Sequence, residues 1–286
     1  MNKDRDIRLM GILNLTGDSF FAGSRLLTAE GRLDEALFHA RAERMLSEGA
    51  DILDLGAVST RPGAPDVSEE EEWRRLAPAL HILREKFPSA RISVDTTRSG
   101  IVRKAFDVTG PFIVNDISAG EDDSRMIETA AGLHLTYVAM HKRGTPATMQ
   151  SLAVYPEGVV AAVRDYFRRF ADRADSSGLT DWILDPGFGF AKTVEQNYEL
   201  LGSLSEFRDF GRPVLVGVSR KSMIYRPLGI TPDGALAPTQ VVHHMALEAG
   251  ADILRVHDVA PASQTVALYR LASDPSAASL SAAMRN

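Results

Sequence analysis

Asn14, Asp95, Asn115, Asp185, Lys221 and His257 each stand at, or just beyond, the end of a short apolar run. Any one of them is accounted for by turn chemistry, because Asp and Asn commonly stop strands. Amides, carboxylates and a cation at six such ends are better explained by one shared pocket. Asp95, Asn115 and Asp185 supply donors and acceptors for a flat, nitrogen-rich heterocycle. Two carboxylates facing an amidine-like edge suit a guanine or a pterin. Lys221, Arg255, His257 and Arg61 supply positive charge for phosphate or carboxylate. Arg255 and His257 alternate along one run, which points both side chains to the same face. Thr60-Arg61-Pro62-Gly63 reads as a loop after the second run.

The elements that must position these residues repeat along the chain. Apolar runs at 9–13, 52–55, 92–94, 112–114, 135–140, 182–184, 214–218 and 253–256 are rich in Val, Ile and Leu, as strands buried on both faces are. Helical spacing fills the gaps: Phe38, Ala42, Met45 and Leu46; then Trp73, Leu76, Leu80, Leu83 and Phe87; then Val160, Val163, Phe167, Phe170 and Ala174. Ser68 with Glu71 reads as a capping box opening the second of these helices. Eight strands alternating with helices predict an α/β fold of one domain, a closed (β/α)8 TIM barrel rather than an open sheet. In such a barrel the C-terminal strand ends share one rim, and the polar residues fall there. The barrel domain is expected over 1–273, with the Ser/Ala-rich 274–286 as a tail.

Composition narrows the function. The chain has 286 residues, 44% of them hydrophobic and 24% charged, which suits a large buried core. A net charge of −6 argues against nucleic acid or an anionic membrane as the main partner. With no cysteine, disulfides, zinc-thiolate sites and thiol nucleophiles are excluded. The charged start lacks a signal-peptide core, and no apolar stretch is long enough to span a membrane, so a cytoplasmic location is expected. Gly187 to Lys192 (GFGFAK) lacks the third glycine of a dinucleotide fingerprint, and Lys192-Thr193 lacks the glycine of a phosphate-binding loop. His243 and His244 are adjacent, cannot share a helical face, and are expected to pack or lie on the surface.

The ordered blocks of the chain resemble the dihydropteroate synthase family. They are GILNLTGDSF (11–20), GADILDLG (49–56), STRPG (59–63), SVDT (93–96), VND (114–116), MHKRGTPATM (140–149), ILDPGFGF (183–190), GVSRKS (217–222) and RVHD (255–258). The resemblance runs over roughly residues 9 to 270. It implies a transferase of folate biosynthesis, a sulfonamide target, that condenses 6-hydroxymethyl-7,8-dihydropterin diphosphate with para-aminobenzoate. It further implies that Asp95, Asn115, Asp185 and Lys221 bind the pterin, and that Thr60, Arg61, Arg255 and His257 hold the diphosphate. Pro62, Phe188 and Ser222 would receive para-aminobenzoate, with the helix beginning at Ser222 favouring its carboxylate. Asn14 would contact a Mg2+ ion. Asp95, Lys221, Arg255 and His257 would carry the chemistry, and a homodimer is expected.

Three positions depart from the family pattern. Gly17 stands where proline is usual, Val58 replaces a carboxylate, and Ala237-Pro238 replaces Asn-Gly. Two other readings share the pterin acids: a methyltransferase serving a corrinoid protein, and a pterin-binding module without catalysis.

Overall fold

The computed structural model describes residues 5–16, 26–28, 31–59, 66–145 and 148–274. Eight strands alternate with helices: β1 (Arg8–Asn14), α1 (Glu35–Ser47), β2 (Ile52–Gly56), α2 (Glu69–Lys86), β3 (Arg91–Asp95), α3 (Ser99–Thr109), β4 (Ile113–Asp116), α4 (Met126–Gly132), β5 (Thr136–Met140), α5 (Val159–Ser176), β6 (Trp182–Asp185), α6 (Val194–Gly202), β7 (Leu215–Val216), α7 (Ser222–Tyr225), α8 (Leu236–Ala249), β8 (Ile253–Val256) and α9 (Val259–Ser273). All the strand pairings are parallel, in the order β6-β5-β4-β3-β2-β1-β8-β7. A single bridge between Leu184 and Val214 joins the two ends of that order and closes the (β/α)8 barrel.

The helices form where apolar spacing and caps agree. Phe38, Ala42 and Met45 make the buried stripe of α1, and the Asp34 side chain accepts from Leu37 N–H at its start. At α2 only half of the expected capping box forms. Ser68 accepts from Glu71 N–H, but the Glu71 carboxylate turns to Arg74 and Arg75 instead. The complete box lies at α6, between Thr193 and Gln196. Most of the core fills the layer between strands and helices.

Strand seven is shorter than its apolar run. Pro213 has no N–H to give, and the ladder covers only Leu215–Val216. Lys221 N–H then bonds back to the Val218 carbonyl, so the chain leaves the sheet and turns over the barrel mouth. The expected tail is outside the described residues, apart from Asp274. His243 is fully buried and His244 exposed. Among the described residues no helix is long and apolar enough to cross a membrane.

Candidate active site

The barrel interior is built in layers. Met10, Ile52, Ile113, Val138, Ile183, Leu215 and Ile253 form an apolar floor. Side chains alternate along a strand, so the residue two positions on occupies the next layer toward the C-terminal rim. Above Ile52, Ile113, Ile183 and Ile253 those residues are Asp54, Asn115, Asp185 and Arg255.

Asp54 is the hub of this polar layer. It is fully buried and accepts from Ser93 Oγ at 2.6 Å, from Asn115 Nδ2 at 3.2 Å, and from Arg255 Nε at 2.7 Å. Arg255 also donates to Asp95 Oδ2 at 2.8 Å. The guanidinium is therefore held between two carboxylates, which fixes its plane across the mouth. Because Asn115 gives its amide N–H to Asp54, its carbonyl oxygen is left to accept from a ligand.

The next layer carries the groups that move charge. Arg220, at φ 54°, immediately precedes Lys221. Its guanidinium grips Asp258 at 2.7 and 3.1 Å and donates to the carbonyls of Pro232 and Asp233. A strained residue persists where its surroundings over-determine it, and this one aims Lys221 over the mouth. Lys221 Nζ donates to the Phe188 carbonyl at 2.7 Å and lies 5.0 Å from the centre of the Phe190 ring. His257 shares Ser219 Oγ through its backbone N–H and its Nδ1.

Burial sets the protonation of this cluster. It pushes the Asp95 carboxyl up to about 7, against the pull of Arg255. Asp185 is raised for the same reason, against Lys221. Lys221 is pulled down to about 8, against Asp185. His257 is pulled down to about 3 by burial and by Arg255. Burial thus favours the neutral ring of His257, whose Nδ1 lies 3.1 Å from the Ser219 hydroxyl.

The barrel thus brings Asp95, Asn115, Asp185, Lys221, Arg255 and His257 to one rim, with Asn14 half-buried at the end of β1. Asp185 and Arg255 face each other closely enough for each to shift the other. Thr60, Arg61 and Pro62 lie outside the described residues. Two expectations change. Phe188 is fully buried in the core and leaves no surface for a substrate, whereas Phe190 is half-buried beside Lys221. Ser222 does open a helix, but α7 has only four residues, so few aligned peptides add to a dipole there. Asp54, Ser93, Ser219 and Phe190 belong to the site although the sequence reading assigned them no part in it. A carboxylate at the centre of an otherwise apolar strand was the signal for Asp54.

A pH profile follows from the shifts. The kcat/KM is expected to rise as pH passes about 7, where Asp95 ionises, and to fall as pH passes about 8, where Lys221 loses its proton. A rate that stays level from well below to well above this window would show that neither group needs its charge.

Comparison with known proteins agrees with this geometry. The profile described as pterin binding enzyme matches residues 10–257. The dihydropteroate synthase of Haemophilus influenzae is 41% identical over 265 residues, covering 92% of this chain and 93% of the relative. The Yersinia pestis dihydropteroate synthase, solved with a sulfonamide drug, superposes with a TM-score of 0.86 at 35% identity over 96% of both chains. The Thermus thermophilus dihydropteroate synthase, solved with 4-aminobenzoate, gives a TM-score of 0.80 at 39% identity over 94% of this chain and 95% of its own. Of the three readings weighed from the sequence, these relatives support the synthase. The chain belongs to the pterin-binding enzymes and, within them, to the dihydropteroate synthases, transferases of folate synthesis.

Proposed function

We propose that this mouth joins a dihydropterin-methyl diphosphate to para-aminobenzoate through the residues of its two polar layers. The observation that carries the assignment is the convergence of Asp54, Asp95 and Asp185 with Arg255 and Lys221 above one apolar floor. Asp185 and the Asn115 carbonyl accept from the N–H groups of the pterin edge, and Lys221 donates to a ring acceptor. Arg255, held flat by its two carboxylates, faces the ring.

The methylene C–O bond breaks and the diphosphate departs with the electron pair. Asp185 and the ionised form of Asp95 set negative charge beside the ring, and that charge stabilises the cation growing on the pterin methylene. His257 Nε2–H donates to the departing group, and Arg61 and Thr60 are assigned to it by the family resemblance. The aryl amine then attacks the methylene carbon, forms the C–N bond and loses its proton. Phe190 walls the second site in place of Phe188, and Ser222 lies next to Lys221 at that end. Water kept from the mouth cannot compete for the cation.

The side chains also bear on the magnesium expectation. Among the described residues no three His, Asp or Glu side chains gather as a metal site. Asn14 is half-buried at the rim, at the end of β1. One amide oxygen fits an ion that arrives on the diphosphate and keeps most of its waters. Such an ion would neutralise leaving-group charge.

The test is diphosphate release measured with both substrates. Sustained release is expected only when para-aminobenzoate and the pterin diphosphate are both present, with at most about one equivalent per site from the pterin diphosphate alone, and it should drop by about tenfold or more when a chelator removes the metal. Release of no diphosphate under any of these conditions would refute the assignment.

A further inference from the structure

Lys192 is a buried amine to which the reaction above gives no part; burial pulls it down to about 7, against Asp185. It is only 4% exposed. Its Nζ lies 2.9 Å from His141 Nδ1 and donates to the Gly187 carbonyl at 2.9 Å and to the Phe190 carbonyl at 3.0 Å. An ammonium has three N–H bonds, and here it meets three acceptors. The match requires a bare Nδ1 on His141, hence a neutral ring carrying its proton on Nε2. Burial beside Lys192 holds His141 in that neutral form. The charged groups facing Lys192 are Asp185, Lys221 and Arg143.

The two carbonyls bound by Lys192 bracket a turn that touches both proposed ring-binding groups. At its start Gly187 N–H donates to Asp185 Oδ1 at 2.8 Å. At its centre the Phe188 carbonyl accepts from Lys221. Left-handed backbone recurs along it, at Gly187 (φ 73°), Gly189 (φ 82°) and Ala191 (φ 51°). The last is costly for a residue with a Cβ and needs support from its surroundings. The turn is also pressed against the end of β5: a Cβ added at Gly187 would lie 1.9 Å from the His141 carbonyl oxygen.

We propose that Lys192, anchored on His141, is a positioning residue that holds the Gly187–Phe190 turn so that Asp185 and Lys221 meet the pterin together. This rests on the assignment of those two residues to the ring. Loss of the ammonium frees both brackets of the turn and slackens both grips at once, without removing any group that touches substrate.

The experiment measures the dissociation constant of the pterin diphosphate, and its kcat/KM in diphosphate release. Wild-type binding comes first, since its absence would remove the ring assignment and this inference with it. Lys192→Met is expected to raise the dissociation constant about tenfold or more, the scale of lost charge-assisted hydrogen bonds. Leu80→Ala, a core cavity in α2, serves as a control for lost stability and should bind within about twofold of wild type. Wild-type affinity in Lys192→Met, or an equal loss in Leu80→Ala, would overturn the role.

If Lys192→Met does not fold, a pair at His141 decides. Asn places an acceptor where Nδ1 stands, whereas Leu keeps volume without an acceptor. His141→Asn should bind within about twofold of wild type, and His141→Leu about threefold or more weaker. The reverse order, Leu tolerated and Asn not, would make His141 a packing residue and sink the proposal.

Discussion

Arg255→Ala is expected to lower kcat/KM about a thousandfold and to destabilise the fold by about 3 kcal/mol, the lower end for a broken buried ion pair. The cause is what the change leaves behind. Asp54 has no exposed surface, and without Arg255 its charge rests on Ser93 and Asn115 alone. Asp95 loses its 2.8 Å partner and, already raised toward neutrality, takes up a proton more readily. A neutral Asp95 no longer balances the developing pterin cation. Denaturant melts and steady-state rates measure the two effects separately. A further variant, Asp54→Leu with Arg255→Met, should recover most of the stability, since an apolar pair of similar size can replace a buried ion pair. It should recover none of the activity. Recovery of turnover in that double variant would show that Arg255 acts only as scaffolding.

Asp185→Asn should weaken binding of the pterin by about 2 kcal/mol, roughly thirtyfold, the scale of lost charge-assisted hydrogen bonds. The substitution isolates charge from shape. The Asn carbonyl oxygen can still accept from Gly187 N–H, so the turn beyond β6 keeps its anchor. The loss is in the negative charge at the ring edge and in its support for the Lys221 ammonium. Isothermal titration measures it directly. Unchanged affinity would place the ring elsewhere.

The framework was legible in the sequence because each strand is short, apolar and stopped by a polar residue or glycine. Every predicted strand appears, all eight within two residues at each end, and Asp95, Asn115, Asp185, Lys221, Arg255 and His257 meet as expected. Strand seven alone is cut short at both ends, where Pro213 and the early turn to Lys221 shorten the ladder. What remained hidden depends on burial and parity across strands. Asp54 lies within a run that reads as core; its carboxylate there is a signal, but its partners Ser93 and Asn115 emerge only from the register of the neighbouring strands. In the irregular turn after β6 no period distinguishes the fully buried Phe188 from the half-buried Phe190. The direction in which burial moves His257 depends on its surroundings rather than on residue type, so it is not legible in the sequence.

The weakest seam of the barrel runs between β6 and β7, where one rung does what two or more do at every other join. Asp185 ends the strand on one side of that seam, and Lys221 follows the strand on the other. A heterocycle gripped by both would be a stitch across the gap, supplying between ligand atoms the cross-link that the backbone leaves out. Substrate binding would then also be a contribution to closing the cylinder, through the usual coupling of ligation to the folded state.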